Sequence, residues 1–417
     1  MYTPCNEAVR LVWVAVAKKS DIHPADLLGY SRLAVDATAG ITALVEALHH
    51  NIALAPGLLD TPAQGPAAGI AGLVYESIRS VTGLVSSGIE AALAPLPPML
   101  AERSSPPERQ AVLAALNGVM GDYLAATDNP LAISMRLRRR GKPLTLERQA
   151  LADAIPKLNG KLVVLVHGLC MNDLQWTRKG HNHGAALARD LGYTPVHLLY
   201  NSGLHISTNG QALATLLEAL LDQWPAPFEE FVIIAHSMGG LVSRSAYHYA
   251  AAAGHKWPQR LRKIVFLGTP HHGTPLEVVG NWVNGALDLS PYTAAFARLA
   301  NIRSAGITDL RYGNLLDDDW YGRDRFDHTG DQRRPMPLPE GAHCYAIAAT
   351  GDKTGGLEDE LLGDGIVPVE SALGRHKDPA MTLSFTESRQ WIGHDMNHFD
   401  LLSKRAVYKQ IRRWIDE

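Results

Sequence analysis

The segment Phe231-Val-Ile-Ile-Ala-His-Ser-Met-Gly-Gly240 joins a continuous apolar run to a helix-compatible stretch, Leu241–Ala253. The apolar run is typical of a strand that is buried on both faces of a sheet. Ser237 follows that run closely, with Ala235 and Gly239 two positions to either side. A sharp turn from strand to helix needs small residues there, and it lifts the serine hydroxyl clear of the sheet. The segment therefore predicts a nucleophile elbow in which Ala235 replaces the usual first glycine.

Further apolar runs of strand length lie on both sides of this segment, with helical stretches between them. They cover Lys161–Val166, Pro195–Tyr200, Lys263–Leu267 and His343–Ala349. Such runs alternating with helices indicate a mostly parallel sheet covered on both faces. Alternating apolar residues from Leu131 to Leu137, followed beyond a turn by Leu144–Leu146, predict an N-terminal antiparallel hairpin. The predicted fold class is therefore α/β, with helices on both faces of the sheet.

Residues 1–127 have a different pattern from the rest of the chain. Amphipathic stripes predict helices there, one of them over Glu108–Ala126, and the region carries no recognisable chemistry. We predict a helical N-terminal extension over 1–127 and a catalytic domain over 128–417. The stretch of about 276–339 is long and rich in Trp, Tyr, Asp and Arg, which predicts a lid-like insertion. A last amphipathic helix is expected from about Leu401 to Ile415.

The composition excludes several classes of protein. Of 417 residues, 46% are hydrophobic and 19% charged, with a formal net charge of −3. These values argue against a disordered chain, and the balance of charge predicts no nucleic-acid partner. The cysteines, Cys5, Cys170 and Cys344, are scattered, and no secretory signal is recognisable, so we expect a cytoplasmic protein with reduced thiols. With no P-loop or dinucleotide fingerprint, no cofactor is expected.

A nucleophilic serine needs a general base within reach. Two histidines, His394 and His398, lie on the loop just before the last predicted helix. His398 directly precedes the leucines that begin that helix, and we assign it the general-base role, with His394 as the alternative.

The base in turn needs an acid that orients its ring and stabilises its charged form. Asp364 lies between two glycines in a turn that precedes a short apolar run, and we assign it this role. Asp352 and Glu370 compete for it. The order of Ser237, Asp364 and His398 along the chain is nucleophile, acid and base.

Ester chemistry also requires backbone N–H groups that meet the oxyanion of the tetrahedral intermediate. One donor is expected from Met238, the residue after the nucleophile. The other is expected from Leu169, which follows a buried strand that ends in His167-Gly168. We interpret His167 as a residue that braces this loop rather than as a proton carrier.

From about residue 131 onward the chain resembles an α/β-hydrolase of the lipase and carboxylesterase kind. It is similar to bacterial triacylglycerol lipases and to lipase-like GPI inositol-deacylases. The motifs that carry the resemblance are VLVHGL (164–169), AHSMGG (235–240), FLGTPHHGTP (266–275), GDGIVPVESA (363–372) and NHFDLL (397–402). Two histidine pairs, His181 with His183 and His271 with His272, show no recognisable metal-ligand spacing. We interpret them as loop-bracing or pocket-lining residues and expect no metal.

The motifs together predict a serine carboxylic-ester hydrolase, an esterase or lipase that works through an acyl-enzyme. A thioesterase, an amidase or a lipid deacylase with the same triad is the alternative, and a non-catalytic binding protein of this fold is a more distant one. The expected partner is a small-molecule or lipid ester. The apolar stripes of residues 1–127 must be covered by the catalytic domain, by a second subunit in a homo-oligomer, or by transient contact with a lipid surface, in that order of preference.

Overall fold

The computed structural model describes residues 26, 28–36, 106–156, 158–275, 303–325, 330–351 and 363–417. By its contacts the chain divides into two units. One comprises Met1–Ser105 with Ala126–Leu131, and the other comprises Pro106–Ala125 with Ala132–Glu417. Much of the predicted N-terminal extension, the part of the predicted insertion over 276–302, and Asp352 lie outside the described residues.

Eight strands form one sheet in the order β2-β1-β4-β3-β5-β6-β7-β8. Their bounds are β1 Arg136–Arg139, β2 Lys142–Pro143, β3 Lys161–Val166, β4 Thr194–Leu199, β5 Glu230–His236, β6 Leu261–Leu267, β7 His343–Ala349 and β8 Gln390–Gly393. The neighbouring pairs β4–β3, β3–β5, β5–β6, β6–β7 and β7–β8 are parallel. Strand β1 pairs antiparallel with both β2 and β4. This arrangement confirms the predicted α/β class with its N-terminal antiparallel hairpin.

The described α-helices of the second unit connect and cover these strands. They are α1 Pro107–Ala126, α2 Arg148–Ala154, α3 His183–Leu191, α4 Ile206–Gln223, α5 Met238–Ala252, α6 Trp257–Arg260, α7 Ala305–Asp309, α8 Val369–Ala372 and α9 Arg405–Asp416. No helix of the described residues is long and apolar enough to cross a membrane.

The sheet is buried on both faces because its central strands are continuous apolar runs over most of their length. In β5, Phe231, Ile233 and Ala235 belong to the core on one face, while Val232 and Ile234 belong to the core on the other. Each of these five side chains is fully buried. The apolar run of β5 is therefore continuous because the strand is buried on both faces, as the sequence predicted.

Helix α1 packs into the core of the second unit. Its residues Ala115 and Val119 belong to the same apolar cluster as Cys170, and a Cβ atom on Gly118 would lie 2.2 Å from the Cys170 Sγ atom. The helix therefore needs glycine at this close approach. The predicted boundary between residues 127 and 128 stays a prediction.

Some elements differ from those expected, and the second strand of the hairpin is Lys142–Pro143 rather than Leu144–Leu146. The strand predicted from Leu131 begins only at Arg136, because the Ile133 amide donates to the Asn117 side chain instead of to a strand. Strand β8 was missed, since its four residues are mostly half-buried and form no continuous apolar run. The last helix, α9, begins at Arg405, after a short 3₁₀ turn over Asp400–Leu402.

The first unit is described only in part. Residues 28–36 are helical, and Asn129 connects them to the segment that ends this unit. The Asn129 side chain donates to the Gly29 carbonyl at 3.1 Å and accepts from the Leu131 amide at 3.0 Å.

Candidate active site

Ser237 occupies the turn between β5 and α5. Its backbone has φ 55° and ψ −130°, a region in which a residue with a side chain is strained. The Ser237 amide donates to the Leu267 carbonyl at 2.8 Å, which attaches the turn to the end of β6. The structure therefore places Ser237 on a strained strand-to-helix turn, as the sequence predicted, and the side chain lines a pocket.

Gly239 has to be glycine for a specific reason. A Cβ atom at this position would lie 2.5 Å from the carbonyl oxygens of both Val166 and His167, at the end of β3. Backbone atoms of a central strand have little freedom to move away. The first turn of α5 therefore fits against β3 only without a side chain at Gly239.

Gly239→Ala is expected to destabilise the protein by about 1–3 kcal/mol, the cost typical of overpacking a dense core. Urea unfolding at pH 7.5 measures the loss. Gly351→Ala is the control, because a Cβ atom on Gly351 would meet no heavy atom within 4 Å and its φ is outside the left-handed region. Equal stability losses in the two variants would contradict this explanation.

Asp364 and His398 form a buried pair beside this turn. The His398 Nδ1 and Asp364 Oδ2 atoms are 2.6 Å apart, and the two residues are 3% and 4% exposed. The other carboxylate oxygen, Asp364 Oδ1, accepts from the amides of Ile366 at 3.0 Å and Val367 at 2.8 Å. The carboxylate is therefore held by backbone donors on one side and presents its second oxygen to the imidazole.

The His398 ring lies against a backbone glycine. A Cβ atom on Gly268, whose φ is +57°, would lie 3.1 Å from two atoms of the imidazole. In addition, the His398 amide donates to the Asp364 carbonyl at 3.1 Å. Glycine at the end of β6 thus leaves the space that the imidazole occupies.

The other candidates for the general base and for the acid lie away from this pair. His394 is exposed, and Glu370 forms a half-exposed ion pair with Arg375 at 2.9 Å. Asp352 lies outside the described residues. Among the described candidates, the structure brings only Asp364 within hydrogen-bonding distance of His398.

A pocket of about 350 Å³, part of it open to solvent, contains both Ser237 and His398. Its other lining residues are Gly168, Leu169, Met171, His236, Pro270, Thr274, Leu310, Ile366, Val367 and Phe399. Most of these side chains are apolar. The sequence did not predict that Met171, Leu310 and Phe399 line the pocket. Only Phe399 carried a signal for this role, because it directly follows His398.

The two expected oxyanion donors lie at the same end of the sheet. Leu169 lines the pocket, and Met238 is the first residue of α5, whose N–H has no intrahelical partner. Within the described part of the chain, no hydrogen-bond acceptor is found for either amide. Both N–H groups are thus available to a ligand atom.

Two further buried histidines, His167 and His236, lie at the carboxyl ends of β3 and β5. Neither forms a hydrogen bond with the Ser237 side chain among the described residues. His236 lies beside His398, with ring centroids 4.6 Å apart, and burial and the neighbouring His398 hold its pKa well below the ordinary value. His167 stacks on Tyr200 at 4.3 Å, and the Tyr200 hydroxyl donates to the His167 carbonyl at 2.8 Å. These contacts give His167 a bracing position in the loop.

Residues from the region 178–183 contact the segment that follows His398. The His183 ring lies 2.8 Å from the Leu401 carbonyl, and the Lys179 ammonium is 2.9 Å from Asp400. The Arg178 guanidinium lies over the Phe399 ring at 4.8 Å. Two loop residues and the first residue of α3 thus contact the stretch that directly follows His398.

The histidine pairs have structural contacts. His181 and His183 lie 2.9 Å apart through ring nitrogens, and the His272 ring lies 3.0 Å from the Gly374 carbonyl. Nowhere in the described ranges do three or more His, Cys, Asp or Glu side chains form a group suited to a metal ion.

Burial lowers the pKa of four histidines to about 4, namely His167, His183, His197 and His272. In the unfolded chain the pKa of histidine is about 6.5. The unfolded state therefore binds more protons between about pH 6.5 and 4, so the folded state is fully favoured above this window and loses stability as the pH falls through it.

His197→Gln is expected to make this acid sensitivity less steep. His197 Nε2 has no hydrogen-bond partner among the described residues. Glutamine does not titrate, so the unfolded state of the variant binds one proton fewer in this pH window, which changes the slope of the unfolding free energy by about 1.4 kcal/mol per pH unit. Urea midpoints measured from pH 7.5 to 4.5 give the slope. His248→Gln, on the exposed side of α5, is the control, and an unchanged slope in His197→Gln would refute the assignment.

Comparison with known proteins supports the fold. Residues 157–330, less than half of the chain, match the family model described as a PGAP1-like alpha/beta domain. No curated protein matches. The match and the sheet order confirm the α/β-hydrolase fold that the motifs predicted.

Several solved structures resemble the chain at low identity. The mature lipase BlEst2 of Bacillus licheniformis is 19% identical, with a TM-score of 0.39, and the match covers 61% of this chain and 91% of that one. The Pyrococcus furiosus esterase Pf2001 is 12% identical, with a TM-score of 0.36 and coverage of 62% and 82%. The type II thioesterase YbtT of the yersiniabactin pathway is 15% identical, with a TM-score of 0.37 and coverage of 61% and 92%.

Proposed function

We propose that this chain, which has an α/β-hydrolase fold, hydrolyses carboxylic esters through Ser237, His398 and Asp364. The observation that carries the proposal is the 2.6 Å contact between His398 and Asp364 at a pocket that Ser237 also lines from a strained turn. Acyl transfer requires a serine presented on a sharp turn, a histidine that can take its proton and a carboxylate that orients the histidine. The structure has all three residue types at one apolar pocket.

In the proposed reaction the Ser237 hydroxyl oxygen attacks the ester carbonyl carbon while His398 Nε2 takes the hydroxyl proton. Asp364 accepts the Nδ1–H of the same ring, which keeps Nε2 free to accept, and it stabilises the imidazolium that forms. The amides of Leu169 and Met238 donate to the oxyanion.

The tetrahedral intermediate then collapses. The bond to the alcohol oxygen breaks, and the alcohol leaves with the proton from His398, so that the acyl group remains on Ser237. Water repeats the sequence with His398 as base, releasing the acid and restoring the serine hydroxyl. Every proton removed is returned, and the reaction consumes only ester and water.

A fluorophosphonate probe tests the proposal directly. We expect one covalent adduct, which peptide mass spectrometry maps to Ser237, and no adduct in Ser237→Ala. Ser388→Ala, an exposed serine far along the chain, is the control and keeps the adduct. Failure of the folded wild-type protein to react would refute the serine-hydrolase assignment.

The class of acyl bond is tested with matched substrates. The apolar walls of the pocket favour an acyl chain as the bound group. We expect p-nitrophenyl butyrate to be hydrolysed with a higher kcat/KM than the matching butyryl thioester or p-nitroanilide. A clear preference for the thioester or the anilide would assign the site to a thioesterase or an amidase instead.

A further inference from the structure

A second cavity, with about 310 Å³ of empty space that is partly open to solvent, lies on the other side of the loop that follows β6. We call it the arginine pocket and define it by six of its lining residues, Arg244, His271, His272, Asp319, Arg333 and Arg334. Pro270 lines the pocket of Ser237, whereas the next two residues, His271 and His272, line this one. The two cavities are therefore separated by a single stretch of backbone.

Arg244 is a buried cation that has no carboxylate partner among the described residues. It lies on α5 about two turns after Ser237 and is 3% exposed. One terminal nitrogen lies 3.3 Å from His271 Nδ1, and the other donates to the Met336 carbonyl at 2.6 Å. Its Nε atom has no hydrogen-bond partner. All its described partners are thus neutral, and a buried charge without an ion-pair partner is costly.

The carboxylates near the pocket are engaged elsewhere. Asp331 is 2.7 Å from Arg333. Asp319 accepts from the amides of Leu315 at 2.7 Å and Leu316 at 2.9 Å. Arg334 is exposed and has no ion pair among the described residues. The lining thus combines three guanidinium groups with the carboxylate of Asp319. Neither Asp319 nor the nearby Asp331 pairs with Arg244.

The histidines add a donor without an acceptor. Because His271 Nδ1 faces an Arg244 nitrogen, which only donates, that atom accepts and the ring proton is on Nε2. The Nε2 atom is buried and has no partner. His272 Nδ1 is also unpaired, and it is an acceptor because the opposite nitrogen donates to the Gly374 carbonyl.

We propose that the arginine pocket binds a small oxyanion, a carboxylate or phosphate group, on Arg244 and the His271 N–H, with Arg334 at the solvent side. A guanidinium offers planar paired donors that match such groups. The anion would place a negative charge beside the Arg244 guanidinium and would accept a hydrogen bond from His271 Nε2. His272 Nδ1 could accept a hydrogen bond from a protonated oxygen of the same ligand. This site is separate from the ester site and does not depend on the function proposed there.

Isothermal titration with inorganic phosphate, at an ionic strength held at 0.15 M with sodium chloride, tests the site. We expect saturable binding of one phosphate per chain, with at least a tenfold loss of affinity in Arg244→Met. Arg413→Gln, an exposed arginine of α9, is the control and keeps the wild-type affinity. No saturable heat in the wild type, or equal affinity in Arg244→Met, would overturn the proposal for the free anion.

A second variant covers the case in which Arg244→Met does not fold. Arg334 is exposed, so Arg334→Gln is expected to keep the fold and to weaken phosphate binding about two- to fivefold. An affinity equal to that of the wild type would count against the pocket.

The source of the oxyanion is distinguished by a parallel titration. Acetate and glycerol 3-phosphate report on a small free ligand, and sedimentation with phosphatidylglycerol vesicles against phosphatidylcholine vesicles reports on a lipid headgroup. Binding in either arm that Arg244→Met or Arg334→Gln reduces supports the site and identifies its source. Absence of variant-sensitive binding in all arms overturns it.

Discussion

Ser237→Ala is expected to lower kcat for p-nitrophenyl butyrate by about 10⁴- to 10⁶-fold, the range typical for loss of a nucleophile that acts with its base as a unit. KM is expected to change little, because the apolar walls of the pocket remain in place. His398→Ala is expected to fall in the same range. The double variant is expected to be no slower than either single variant, since each already disables the same step.

Ser243→Ala is the matched control for this experiment. Ser243 lies on the same helix, α5, and its hydroxyl donates to the Gly239 carbonyl at 2.8 Å within that helix. Its loss removes a serine hydroxyl near the elbow without touching the pocket. Wild-type thermal midpoints in all variants would exclude unfolding as the cause. A Ser237→Ala protein that retained a tenth of wild-type kcat would contradict the mechanism.

The elbow was predictable because its requirements are local. A buried strand, a turn with small residues and a helix follow one another without interruption in residues 230–252. The partners that make Gly239 irreplaceable are not local, since they are the carbonyls of Val166 and His167 about 70 residues earlier. Sequence therefore identifies which residue type is needed and leaves open what it contacts.

The acid was less determined by sequence. Asp364 and Glu370 both lie after β7 in a plausible turn. In the structure the amides of Ile366 and Val367 orient the Asp364 carboxylate, while Glu370, in α8, extends to Arg375. Such a choice depends on how the turn folds back on itself, which no spacing rule contains.

The arginine pocket could not be foreseen from the chain. Arg244 lies on an amphipathic stretch where an arginine is typical of a solvent-exposed face. It is buried because His271 and Met336, from segments far apart in sequence, meet over it. Strand β8 was missed for a related reason, since an edge strand is stabilised by its neighbour rather than by its own apolar pattern.

Asp364→Asn is expected to lower kcat by about 10⁴-fold while leaving the fold intact, as a wrong tautomer of the base does in triads of this kind. The reason lies in the two amides that donate to Asp364 Oδ1, at 3.0 Å from Ile366 and 2.8 Å from Val367. Only the oxygen of an asparagine accepts these bonds. The asparagine NH₂ group is therefore directed at His398 Nδ1.

An NH₂ group facing Nδ1 requires that atom to accept, so the ring proton moves to Nε2. An Nε2 that already carries a proton no longer accepts the proton of Ser237, and the nucleophile is no longer activated. Nitrogen-15 NMR of the labelled protein distinguishes the tautomers, and steady-state kinetics give kcat. Asp416→Asn is the control, because Asp416 is an exposed carboxylate at the end of α9, away from His398 in the chain. Its kcat is expected to stay within about threefold of the wild type, whereas a full-rate Asp364→Asn enzyme would mean that another group orients the base.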